Sequence, residues 1–236
     1  MRSTYAILIL LICLTPLTSI AQFDNNQEYV KEFTWGVTKN TNSWLIGGGF
    51  LKFSRQKKES WYETFALEIV NVKHPKELKY STSAGKRFIW GKANYLYSIR
   101  PQYGLEKVLF QKAPQQGVQI NANAAGGLSI GLEAPYYVQS LGGEKVIYDP
   151  DLYPSPYYIN GTANQFRTLG ESKIRPGLNA KTGIIFEFGT FRNNVTGIEL
   201  GLAAELFIKK VEMVYQQENK ALFTSAFFSF FWGTRK

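Results

Sequence analysis

The sequence predicts an all-β chain, folded as an antiparallel up-and-down transmembrane β-barrel of about eight strands with long extracellular loops. Three observations carry that expectation. In Ile198–Ile208 the even positions are Ile198, Leu200, Leu202, Ala204, Leu206 and Ile208, and the odd ones Glu199, Gly201, Ala203, Glu205 and Phe207. A period of two marks a strand whose two faces meet different surroundings. Val118–Ala134 repeats the pattern, with Val118, Ile120, Ala122, Leu128, Ile130 and Leu132 opposed by Gln119, Asn121, Asn123, Ser129 and Glu133. Both runs exceed the 5–6 residues or so of a typical soluble strand and suit the roughly 9–11 residues that cross a bilayer at a tilt. Third, the connections alternate in length. Arg55–Glu59, Lys112–Gly117 and Arg192–Asn194 are short, whereas His74–Gly91 and Pro135–Pro176 are long, the asymmetry of short periplasmic turns and longer outer loops.

Residues 1–21 read as a cleaved signal peptide. Arg2 precedes the apolar run Tyr5–Leu14, and Ser19 and Ala21 make a small-x-small cleavage site. Residues 22–236 are then the barrel, exported to the cell outer membrane. Cys13 is the only cysteine. It sits inside the apolar core behind Ile12, which argues against a lipid attachment site. Removing it with the leader excludes disulfides, thiolate chemistry and cysteine metal sites.

Tyr29–Thr38 opens the barrel, and Trp44–Phe53 follows the polar turn Lys39–Asn42. Trp61–Val72 is the third strand, and Asn94–Phe110 the fourth. Pro101 predicts a bulge in that fourth strand, because it removes a ladder hydrogen bond. Val118–Ala134 is the fifth strand and Ala180–Thr190 the sixth. The Ile198–Ile208 run is the seventh, a short turn is expected at Tyr215–Asn219, and Ala221–Trp232 closes the chain. Residues 136–176 form the longest outer loop, with a short helix expected near Gln165. Loops of that length are usually functional.

Alternation alone does not say which face looks inward. The polar faces are rich in Gly, Ala, Ser and Asn, which suit a crowded lumen, and they carry charges of both signs. Side chains fill the interior of a barrel this small, and buried charges must pair or lose their charge. The expectation is a lumen network in which Arg100 and Lys181 bridge Glu68, Glu106, Glu133, Glu187, Glu199 and Glu205. The aromatic fraction of 15% fits interfacial girdles.

The chain carries 27 basic and 18 acidic residues, a net charge of +9. In an exported barrel that excess points to anionic lipid and glycolipid headgroups; nucleic acid is discounted, with no binding motif present. Lys73, Lys76, Lys79, Lys86, Arg87 and Lys92 cluster around the first long loop and are expected to contact such anions. The aromatic segment Tyr136–Tyr158, with Tyr153, Tyr157 and Tyr158, is expected to contact an envelope protein partner. No cofactor is implied. Metal ligation has little support, with one histidine and only Asp149 and Asp151 as a loop carboxylate pair. His74, near Glu68, Asn71, Ser81 and Ser83, is the sole weak catalytic candidate at the outer rim.

Several stretches resemble an outer-membrane β-barrel family of Bacteroidota-type bacteria. They are Gly91-Lys92-Ala93-Asn94, Gly117-Val118, Glu171-Ser172-Lys173-Ile174-Arg175-Pro176-Gly177-Leu178-Asn179-Ala180-Lys181, and the closing Phe230-Phe231-Trp232-Gly233-Thr234-Arg235-Lys236, with Ala21-Gln22 as a similar cleavage site. The resemblance implies an outer-membrane location and carries no catalytic residue. The expected role is structural, accessory or interactive, with the outer loops as contact surface. A lipid-modifying enzyme acting at the rim and a narrow pore are the competing expectations.

Overall fold

The computed structural model describes residues 30–82, 85–111, 117–163, 170–188 and 194–236. The expected leader, Ser83, the helix near Gln165 and most of the turns at Lys112–Gly117 and Arg192–Asn194 lie outside the described residues. The strands are β1 (Lys31–Asn40), β2 (Gly48–Lys58), β3 (Trp61–Val72), β4 (Leu78–Ser81), β5 (Arg87–Trp90), β6 (Asn94–Phe110), β7 (Val118–Pro135), β8 (Tyr137–Ser140), β9 (Lys145–Ile147), β10 (Ile159–Thr162), β11 (Lys173–Phe188), β12 (Asn194–Phe207) and β13 (Leu222–Arg235). Eight of them close a barrel in the order β1-β13-β12-β11-β7-β6-β3-β2. Every neighbouring pair is antiparallel. Closure joins first strand to last, from Glu32 opposite Arg235 to Asn40 opposite Phe227. We call the end holding Lys31 and Arg235 the lower end.

Period-two alternation sorts the side chains. On β1, Phe33, Trp35 and Val37 are exposed while Glu32, Thr34, Thr38 and Asn40 are buried. Registration then aligns the outward side chains into rows. Leu128, Leu178, Leu206 and Leu222 pair across β7, β11, β12 and β13, as do Ile120, Phe186, Ile198 and Phe230. Trp35 and Trp232 meet outside with ring centroids 5.1 Å apart, and Phe53, Trp61, Phe110 and Phe188 lie exposed towards the lower end. Apolar surface left in water costs about 25 cal/mol per Å², so continuous rows of this kind call for an apolar surround.

Several boundaries differ from expectation. β2 begins at Gly48, because Trp44 is held in the preceding loop by the Asn71 side chain, which accepts from its backbone N–H at 3.0 Å. The same strand runs through the charged stretch to Lys58, and the turn shrinks to Glu59 and the left-handed Ser60 (φ 61°). β11 starts at Lys173, since Ile174, Pro176 and Leu178 continue the outward alternation. Pro101 produces no bulge: it faces outward opposite Leu67 in unbroken register, and the irregularity in β6 falls at Val108–Phe110.

The long connections at the upper end are folded. β4 and β5 form a hairpin, and β10-β8-β9 form a small sheet. Phe88, Ile89, Tyr95, Ala134, Tyr136, Val138, Tyr148 and Ile159 make the core of this cap. The segment after β12, expected to hold only a short turn, folds inward. Its Val211, Met213 and Val214 pack on Val70, Val72, Leu96, Phe207 and Phe223, the upper inward side chains of the barrel. Val211 and Met213 are fully buried. An apolar plug therefore covers the polar lumen.

Candidate functional site

The lumen is built from inward positions on every barrel strand. Arg100 donates through Nη2 to Glu205 at 2.6 Å and through Nε at 3.2 Å, a forked contact that adds geometric specificity. Its Nη1 reaches Glu68 at 3.5 Å, and Ser98 donates to Glu205. Lys181 pairs with Glu199 at 3.2 Å, and Asn123 donates to that carboxylate at 2.7 Å. Lys52 pairs with Glu106 at 2.9 Å. Asn121 donates at 2.7 Å to both Glu106 and Glu187. Arg235 closes the lower end on Glu32 (2.5 Å) and Glu187. Glu133 receives Arg175 at 2.5 Å near the upper end.

Glu68, Arg100, Glu106, Glu133, Lys181, Glu187, Glu199 and Glu205 thus all line the lumen, divided among several ion-pair groups instead of two hubs. Sequence reasoning missed Glu32, Lys52, Arg175 and Arg235. Glu32 sits on an inward even position of β1, and Lys52 on one of β2, where the Gly47-Gly48-Gly49 run obscured the register. Arg175 fell in a segment read as loop, and Arg235 lay beyond the expected end of the last strand.

Aromatic rings fill what charges leave. Lys181 Nζ lies 4.5 Å from the Phe227 ring centroid and 5.8 Å from that of Phe50, on the opposite wall. Phe231 packs over Gly197, and Phe227 over Gly201. Each glycine supplies the space that a facing ring occupies.

The basic cluster divides. Lys73 and Lys79 bring their ammonium groups 5.9 and 5.0 Å from the Trp44 ring centroid, a cation–π arrangement. Lys76 and Arg87 are exposed, and Lys86 donates to Gln139 at 3.4 Å. Lys92 departs from expectation. It is fully buried, paired with Glu77 at 2.5 Å, and its ammonium lies 4.5 Å from the Tyr95 ring centroid. It cannot contact a headgroup. Lys92 also bridges in backbone to Val214 of the plug. Of the three tyrosines, Tyr157 and Tyr158 are exposed, whereas Tyr153 packs against the cap core.

His74 is buried beneath the cap. Its Nδ1 accepts from the Lys76 N–H at 3.3 Å, and its Nε2 lies 3.4 Å from the Glu218 carbonyl. Burial holds its pKa below the ordinary imidazole value, against the Glu218 carbonyl and the Glu77 carboxylate, which favour protonation. Glu68 is committed to Arg100, and Asn71 to the Trp44 loop. Glu68 and Asn71, two of the residues expected beside His74, are therefore engaged elsewhere.

Breaking a buried pair by removing one partner costs about 3–5 kcal/mol. Lys92→Met is expected to spend that loss on local opening of the cap, since Lys92 ties three connections together. Trypsin should then cut at the exposed Lys209, Lys210 or Lys220 at least about tenfold faster than in the parent, with the barrel strands still protected. Unchanged cleavage would show that the pair does not hold the plug.

These features define a small closed barrel with an apolar exterior, an ion-paired lumen and a folded cap. No family model and no curated protein matches the sequence. Among solved structures the chain is similar to neisserial surface protein A, at 13% identity over 88% of this chain and 96% of that one, with a TM-score of 0.40. It is also similar to Ail, the attachment invasion locus protein of Yersinia pestis, in a complex with the heparin analogue sucrose octasulfate. There the identity is 9% over 87% of this chain and 96% of that one, and the TM-score is 0.36.

Proposed function

We propose that this chain is an integral outer-membrane barrel whose capped end faces outward as a non-enzymatic contact surface. Its partners would be anionic glycolipid headgroups and an envelope protein. The observation that carries this reading is the division of solvents: continuous apolar rows outside, paired charges inside and basic and aromatic groups on the cap. The motif resemblance supports a Bacteroidota-type barrel. The plug argues against an open pore, and the engaged, buried His74 against rim catalysis.

Lys73 and Lys79 are the best-formed anion contacts, both held against the Trp44 ring with no carboxylate within salt-bridge distance among the described residues. Lysines near an anionic surface contribute about 1 kcal/mol each. Lys73→Ala/Lys79→Ala should therefore reduce co-purified anionic glycolipid per barrel by about tenfold or more, as measured by mass spectrometry after mild extraction. Unaltered glycolipid would remove the headgroup reading. Tyr157→Ala/Tyr158→Ala tests the protein partner separately, by loss of a co-purifying protein from native envelopes.

A further inference from the structure

We infer that the cap holds a binding site for an uncharged saccharide, at a cavity of about 470 Å³ where three upper connections meet. The site shares only Lys76 with the basic cluster, and the inference does not rest on headgroup contact by Lys73 and Lys79. Its volume lies within the range of small-molecule sites, roughly 300–1,000 Å³.

The lining chemistry selects the ligand class. Trp90 from β5, Tyr148 from the connection after β9 and Tyr215 from the plug form a run of touching rings. Trp90 and Tyr148 are 5.6 Å apart between centroids, and Tyr148 and Tyr215 are 6.0 Å apart. Trp90 and Tyr215 are only half-buried, so each leaves ring surface to the cavity. Aromatic rings pack well against the C–H faces of a pyranose, burying apolar area beside a polar rim. Gln216, Gln217 and Asp151, all exposed, line the same cavity. Amides both donate and accept, and a carboxylate accepts, so the three match the paired hydroxyls of a sugar ring. Charge in the lining is balanced between Asp151 and Lys76. One charge of each sign gives neither an anion nor a cation a net advantage, so recognition falls to the rings and the hydrogen-bonding groups, which suit a neutral polyol.

The frame is ordered by contacts of its own. The Tyr215 N–H donates to the Gly91 carbonyl at 2.7 Å, and Asp151 closes a turn on the Asp149 side chain at 2.9 Å. Gln216 is held in the left-handed region at φ 56°, a conformation uncommon for a residue other than glycine and worth explaining where it lines a cavity.

Saturation-transfer NMR on the full chain, in a detergent without a sugar headgroup, tests this with maltotriose, cellotriose and N,N′,N″-triacetylchitotriose. At least one is expected to show transfer. Asp151→Ala/Gln217→Ala should weaken binding at least about tenfold, as the loss of two hydrogen bonds of about 1 kcal/mol or more each implies. Both side chains are exposed, so folded-state gel mobility should not change; Gln217→Ala alone serves as the milder variant. Absence of transfer from all three sugars overturns the inference, as does equal transfer with the double variant. Transfer only from a sulfated trisaccharide also overturns it, and would move saccharide contact to Lys73 and Lys79.

Discussion

Arg100→Leu is expected to lower the unfolding free energy of the barrel by about 3–5 kcal/mol. Arg100 is 3% exposed and its guanidinium serves two carboxylates, of Glu205 (2% exposed) and Glu68 (4%). Its removal leaves both acids buried without that cation, and Glu205 keeps only the Ser98 hydroxyl among the hydrogen bonds described above. The loss should appear as a lower urea midpoint, followed by tryptophan fluorescence in detergent, with an unchanged slope. Arg100→Leu/Glu205→Leu should regain only the part owed to Glu205, because Glu68 stays buried without its cation; Arg100→Leu/Glu205→Leu/Glu68→Leu should regain more, since replacing all the partners by apolar groups leaves no orphaned charge. A single-variant loss under about 1 kcal/mol would mean that the lumen is wet enough to solvate the acids.

Gly201→Val is expected to prevent closure of the barrel outright. A Cβ at Gly201 would lie 2.1 Å from the Thr182 carbonyl oxygen and 2.8 Å from both the Gly183 Cα and the Phe227 ring. Two of those three obstacles are backbone of the paired strand β11, which cannot swing aside as a flexible side chain would. Overpacking usually costs about 1–3 kcal/mol and occasionally more; here the branched side chain also meets Phe227, so the cost exceeds that range. On an unheated gel the variant should run at the position of the unfolded chain. Gly201→Val/Phe227→Ala, which removes the ring, should not restore folding if the backbone contact dominates. Recovery by that double variant would identify the ring as the main obstacle.

The eight-stranded barrel was legible because a barrel in lipid writes its two solvents directly into alternate positions. Val118–Ala134 and Ile198–Ile208 needed little more than counting, although the second strand in fact begins four residues earlier, at Asn194, and ends at Phe207. The inward placement of Glu199, Glu205 and Glu133 followed from parity, as did that of Arg100. Parity also assigns Lys52, but only once the register past Gly47-Gly48-Gly49 is known, and glycines carry no side chain to mark a face. Pro101 misled for a related reason. An outward proline at a ladder position between Arg100 and Gln102 is accommodated without a shift of register.

The sequence by itself determined the number of barrel strands, the face that the later ones turn outward and most of the residues that fill the lumen, since these are local properties of a period-two pattern. Tertiary structure decided which acid meets which base, the burial of Lys92 with Glu77, and the inward fold of the segment carrying Val211, Met213 and Tyr215. Those outcomes depend on shear around the closed barrel and on packing among connections far apart in the chain. Loop side chains follow no period, so which of them are buried is set by the partners that closure brings overhead.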